Sequence, residues 1–220
     1  LLISANKNNY LGSYNPTPLN FEIPKGWPQP TNNIFENNPL TQEGFDLGKT
    51  LFYDSRLSSD GEVSCGSCHQ QFASFASFDH DLSHGVGSKL TTRNAQALIN
   101  LAWMNEYHWD GGANHIETQV LAPITAANEM NETIENVLNK IKADSAYSRL
   151  FYNAFGSVGI TSQRMMKALA QFTGSLVSAN SKYDKVKNGE AVFTAAEESG
   201  YQIYKANCSG CHTEPLFTDN

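Results

Sequence analysis

The chain has 220 residues, a formal net charge of −7, 17% charged residues and 40% hydrophobic ones. That length holds one large domain or two small ones around a real core, and the acidic balance argues against a nucleic-acid partner while permitting a basic protein partner. No apolar run approaches the roughly 20 residues of a membrane span. The chain starts at Leu1 without a positively charged leader, which is compatible with a signal peptide already removed.

Six of the eight prolines precede residue 40. With the asparagines among them they predict an extended, irregular segment over 1–38, lying across a core made by later residues. Regular structure should begin in "NPLTQEGFDLGKTLFY", with Thr41 as N-cap and Phe45, Leu51 and Phe52 turned inward. "SSDGEVS" then turns the chain. Residues 70–130 are rich in glycine and polar groups and show little sustained period. A short helix is expected at 95–104, and the rest as functional loop.

Sustained helical periodicity comes next. Ile134, Val137, Leu138 and Ile141 follow the i, i+3, i+4, i+7 rule, and Tyr147, Leu150, Phe151 and Ala154 repeat it up to Gly156. Thr161 should cap a third helix, with Ile160 and Met165 as a hydrophobic staple and Leu169, Phe172 and Leu176 continuing the stripe. Thr194 to Glu197 reads as a capping box opening a fourth helix. No convincing strand is present, so the fold class is mainly α.

All four cysteines fall in two pentapeptides, Cys65 to His69 ("CGSCH") and Cys208 to His212 ("CSGCH"). Two such thiol pairs can hold one tetrahedral zinc, and a single pair can be a redox dithiol. Followed directly by histidine, each reads as a haem c attachment. Cys65, Cys68, Cys208 and Cys211 add to haem vinyl groups, and His69 and His212 become proximal iron ligands. Zinc leaves both histidines unexplained, and the redox reading lacks its βα context. Two haem units consuming every cysteine also point to the periplasm or an equivalent oxidising space. The remaining histidines are His80, His84, His108 and His115. His84, in the glycine-flanked "LSHGVG", stands out, with His80 its competitor.

Beyond the two pentapeptides, the sequence resembles the bacterial dihaem cytochrome c peroxidases, the group that also contains the MauG-type enzymes. The resemblance rests on "NPLTQEGFDLGKTLFYDSRLSSDGEVSCGSCH", "TTRNAQALIN", "EYHWDGG", "ETQVLAPITAANEM" and "AEESGYQIYKANCSGCHTEPLFTDN", in that order. It implies two c-type cytochrome-like haem domains with long irregular loops: an N-terminal peroxidatic domain over 39–180 and the start of an electron-transfer domain over 181–220, truncated here. It implies that His69 holds the peroxide-reducing haem and that His84 caps that iron until activation. It further implies that Asn94 reaches a calcium ion between the domains, that Trp109 lies between the haems, and that Gln119 and Glu129 face the peroxide. His212 would hold the electron-accepting haem.

The function so implied is a cytochrome c peroxidase, with Glu129 as general base and acid. Its electrons would come from a small periplasmic donor, a cytochrome c or a cupredoxin; a homodimer is compatible with it. The alternatives are a MauG-type enzyme oxidising a protein or small molecule, and a dihaem electron carrier without catalysis. Bland readings stand beside these roles: Trp109 as a core aromatic, Asn94 as a turn former, Glu129 as a helix-dipole residue, and Gln119 as a surface amide.

The sequence departs from the family pattern at Gly112, where arginine is frequent, and at Gln96, where proline is common. The family also continues for roughly another hundred residues, the size of a small domain. That stretch carries the second axial ligand of the C-terminal haem, methionine in the peroxidases and tyrosine in the MauG-type enzymes. Met130, Met165 and Met166 here are expected to be packing residues.

Overall fold

The computed structural model describes residues 12–218; residues 1–11 of the expected extended segment and the last two residues lie outside it. Its α-helices are α1 (Gln42–Phe52), α2 (Cys65–Cys68), α3 (Leu121–Thr125), α4 (Ile134–Ala143), α5 (Ser145–Phe155), α6 (Ser162–Gly174), α7 (Lys182–Lys187) and α8 (Ala195–Asn207). Among the described residues strand pairing is confined to isolated bridges, one of which ties Pro18 to Thr41.

The helix boundaries follow local chemistry. Thr41, Thr133 and Thr161 each accept a hydrogen bond from the backbone N–H three residues on, at the starts of α1, α4 and α6. Thr194 and Glu197 form the expected capping box at α8. Gly156 ends α5 with φ of 68°, a left-handed conformation that only glycine adopts cheaply. Two expectations need correcting. Residues 95–104 yield only a 3-10 turn, Leu101–Trp103, because Asn100 enters it with φ of 60° and its side chain is spent on Ser178. Leu176 lies past the end of α6, and its backbone N–H caps the carbonyl of Thr173. The helix α7, with its own Ser181–Asp184 capping box, escaped the sequence reading.

The core sits where α1 crosses α6 backbone to backbone. A Cβ on Gly48 would lie 2.0 Å from the Ala168 carbonyl oxygen, and one on Gly44 would meet the Gln171 amide at 2.1 Å. Glycine is therefore required at this crossing. Gln171 is buried, and its amide bridges Thr41 N–H and the Asn38 side chain. Leu47, Leu51, Phe52, Val137, Tyr147, Phe151, Met165 and Leu169 are essentially sealed from water. Each such side chain contributes about 1.5–3 kcal/mol on burial. Ile160 and Met130 are buried too, as expected of packing residues. The irregular N-terminal segment drapes over this core: Trp27 meets Trp103 edge-on at 5.0 Å, and Trp103 Nε1–H donates to Pro28 O.

α7 and α8 contribute no buried side chain. Instead Tyr183, Tyr201, Tyr204 and Phe217 contact one another around the second Cys-x-x-Cys-His unit.

Candidate active site

The first unit is built from α2 outward. Ser64 and Ser67 exchange hydrogen bonds at its N-terminus, and His69 N–H closes the turn on Cys65 O at 2.8 Å. The chain then doubles back, with Gln70 pairing to Ala76 and both Ser74 and Phe75 at positive φ. That reversal carries the Phe75 carbonyl to 2.9 Å from His69 Nδ1, and the Gln96 carbonyl lies at the same distance. Two carbonyls can only accept, so Nδ1 carries the proton and Nε2 keeps its lone pair, the arrangement of an imidazole prepared for a metal. Gln96 contributes only its backbone oxygen, which proline would supply equally, so its departure from the family pattern costs nothing here. Burial holds His69 below its ordinary pKa, toward the neutral form.

Beside Cys68 and His69 opens a cavity of about 870 Å³. Its walls come from α3 and the irregular segments before and after it, and include Asn94, Trp109, Gln119 and Glu129. Four of the residues singled out in the sequence thus meet on one space with the first Cys-x-x-Cys-His unit. Trp109 is not a core aromatic: it is 59% exposed, and its Nε1–H donates to Asn94 O at 2.8 Å. Asn94 in turn donates its side-chain N–H to the carbonyls of Asp81 and His80, at 3.1 and 3.4 Å, leaving its amide oxygen unused by those bonds. Glu129 is half-buried, and loss of solvent raises its carboxyl above the usual range. Burial pushes the Cys65 thiol up to about 12 and Cys68 upward as well, the latter helped by the Glu129 charge.

His84 does not line this cavity. It is exposed, pairs through its backbone with Leu90, and rests its ring edge-on against His80 at 5.3 Å. Its loop is nonetheless fastened to the cavity wall. Val86 N–H donates to Glu129 O at 2.8 Å, and a Cβ on Gly85 would lie 2.2 Å from the Asn128 carbonyl oxygen. Gly87 N–H also reaches Asp60 Oδ2 at 3.3 Å. At Gly112 the wall carries no side chain, and the nearby cation is Arg93, paired with Asp110 at 3.1 Å.

Two lining residues were given no role from sequence. Ser83 is buried directly before His84, and His108 Nε2–H donates to Gln119 O at 3.1 Å. Ser83 carries no motif; His108 stands inside "EYHWDGG", but what sets it apart is its positive φ (68°), and a sequence does not display φ.

The second unit, Cys208, Cys211 and His212, is not brought to the cavity. It repeats the local device: His212 N–H closes on Cys208 O at 3.0 Å, and His212 Nδ1 lies 3.0 Å from Phe217 O. Among the described residues no group of three or more His, Cys, Asp or Glu is placed to hold a metal ion. No helix among them is long and apolar enough to cross a membrane.

Unpaired cysteines, an imidazole with its outer nitrogen free and an adjoining open cavity are what a c-type haem requires of a protein. The profile of the family described as di-haem cytochrome c peroxidase matches residues 42–192, and the chain belongs to that family. It is 37% identical over 206 residues to the methylamine utilization protein MauG of Methylorubrum extorquens, covering 91% of this chain and 56% of that one. Cytochrome c551 peroxidase of Nitrosomonas europaea is 32% identical over 191 residues, with coverages of 85% and 56%. The crystal structure of a MauG-like protein associated with microbial copper homeostasis superposes with a TM-score of 0.81 at 33% identity, over 91% of this chain and 61% of that one. The chain spans little more than half the length of these relatives. The family implies two haem c groups.

Proposed function

We propose that the protein is the peroxide-handling part of a dihaem cytochrome c peroxidase, reducing hydrogen peroxide with two electrons and two protons to two waters. The observation that carries this is the convergence of Gln119, Glu129 and Trp109 on the cavity beside Cys68 and His69. Cys65, Cys68 and His69 hold the first haem, and Cys208, Cys211 and His212 the second. Haem iron, when bound, supplies an open coordination position and one-electron redox chemistry.

The chain's residues do the rest. Glu129 takes a proton from the near oxygen of hydrogen peroxide and returns it to the far one. Its burial suits this, since a raised carboxyl both accepts and releases a proton near neutral pH more readily than an exposed one. Gln119 orients the oxygens without adding charge. His69, neutral and anchored by two carbonyls, keeps its ligating nitrogen aimed. Trp109 is the aromatic step toward the second haem. His84 is the removable ligand: its glycine loop leaves it free of the cavity wall while tying its neighbours to Glu129. Asn94 offers its amide oxygen to calcium. The electron donor is a small periplasmic protein, a cytochrome c or a cupredoxin.

Replacing Glu129 with Gln in the haem-loaded, full-length protein is expected to lower peroxide turnover about 100-fold or more, with both haems still attached. Normal turnover in that variant removes the role.

A second reading, peroxide-driven oxidation of a protein or small molecule, is favoured by the 37% identity to MauG and by the exposure of Trp109 at the cavity mouth. Steady oxidation of a reduced donor protein by peroxide supports the first reading. Its absence, with an oxidised product appearing instead, supports the second.

A further inference from the structure

We propose that His108 is a positioning residue of the peroxide-facing wall: one ring nitrogen pins the Gln119 backbone, and the ring shares the cavity with the Glu129 carboxylate as its counter-charge. This rests on the reading of Gln119 and Glu129 given above, and on four observations.

First, the loop that carries His108 is locked. Buried Tyr107 pairs with Ala113 through two backbone hydrogen bonds of 2.8 and 3.4 Å, and Gly111 N–H returns to His108 O at 3.2 Å. Second, within this five-residue loop His108 adopts φ of 68°. A side chain held in the left-handed region costs on the order of 1 kcal/mol or more, and such costs persist where the surroundings over-determine the conformation. Third, His108 Nε2 lies 3.1 Å from Gln119 O. A carbonyl accepts, so Nε2 carries the proton and donates it to this bond. Fourth, His108 and Glu129 line the same cavity, where burial raises the Glu129 carboxyl and His108 draws it back down.

The other charged or titratable groups around this cavity are few. Arg93 and Asp110 neutralise each other, His115 sits exposed at the rim, and Cys68 and His69 form the opposite wall. On His108's own loop the Glu106 carboxylate lies against Gly111. None of these supplies an uncompensated cation on the cavity wall, and Lys89, whose Nζ lies 3.3 Å from Ala127 O, does not line the cavity. The His108 ring can supply one, and the same ring holds the amide segment that would orient the oxidant.

The sign follows directly. A cationic His108 favours ionised Glu129. Removing it raises the Glu129 midpoint, and the acidic limb of any activity that needs ionised Glu129 moves to higher pH. The test uses His108→Asn, since Asn tolerates positive φ, with His108→Gly as a second variant, both in the haem-loaded full-length protein. Haem content and circular dichroism report folding. The Glu129 carboxyl band, assigned as the one missing in Glu129→Gln, is titrated by infrared difference spectroscopy. The expected result is an upward shift of the Glu129 midpoint by about one pH unit in both variants. An unchanged midpoint in either folded variant overturns the proposal. Peroxide turnover of Glu129→Gln is measured separately. If it is normal, the peroxidase role of Glu129 falls, while the infrared titration still decides the pairing with His108.

Discussion

The two Cys-x-x-Cys-His units of this chain share a covalent pattern and a local hydrogen-bonding device, yet they sit in opposite surroundings. In both, the histidine N–H closes on the first cysteine carbonyl and Nδ1 meets a carbonyl a few residues on. Around Cys65 to His69 the thiols and the imidazole are partly sealed, the aromatic core of Phe52, Phe75 and Phe172 lies behind, and a cavity opens in front. Cys208, Cys211 and His212 are exposed, in the turn after a helix with no buried residue and beside a cluster of tyrosines. The same device therefore orients the imidazole in each case, and among the described residues only the first unit lies beside this cavity.

The difference can be broken most sharply by thiol chemistry. In the haem-free chain, alkylation near pH 8 is expected to modify Cys208 and Cys211 at least about 100-fold faster than Cys65, whose thiol burial raises to about 12, because only the thiolate reacts. Peptide mass spectrometry over time reads the ratio, and equal rates would erase the distinction.

A smaller effect concerns packing. A Cβ on Gly66 would lie 2.5 Å from the Tyr53 ring, whereas Gly210 has nothing within 4 Å. Gly66→Ala is expected to destabilise by about 1–3 kcal/mol and Gly210→Ala to be nearly neutral, as measured by denaturant unfolding.

The smallest effect is one of pH. Burial works against the charged form of Asp54, but hydrogen bonds from Arg56 and Tyr147 outweigh it and hold the carboxyl below its ordinary value. Glu132, against Lys140, is similar. A depressed carboxyl stabilises the fold fully above its unfolded pKa of about 4 and loses that contribution as pH falls toward its folded value. The melting temperature of the first region should therefore drop below about pH 4, and less so in Asp54→Asn. Glu197, fully exposed near the second unit, is held at about 2 by Lys182. Its replacement by Gln should leave that low-pH profile unchanged, since solvent screens such a pair.

Much of the helical frame was legible from sequence because its signals are local. Thr41, Thr161 and the Thr194–Glu197 box act within one turn, and the stripes through Val137, Ile141, Tyr147 and Phe151 show which face is buried. Residues 95–104 misled because short apolar spacing cannot distinguish a helix from a 3-10 turn held by tertiary contacts, here Asn100 with Ser178. α7 was missed because it is short and buries nothing. The pairing of thiols with histidine was plain from spacing alone. Trp109, Gln119 and Glu129 were not: by type and spacing they are a core aromatic, a surface amide and a dipole residue, and only the family resemblance drew them together. His108 stood inside "EYHWDGG" without a role, since its meaning lies in a backbone angle and a carbonyl eleven residues away.

The join between the His84 loop and Glu129 runs from main chain to main chain, through Val86 N–H and the bare face of Gly85. A linkage of that kind is blind to side-chain identity; it is undone only by proline at position 86 or by bulk at position 85. The two stretches of main chain are thereby coupled, so that a displacement of the His84 loop is carried to the backbone of Glu129.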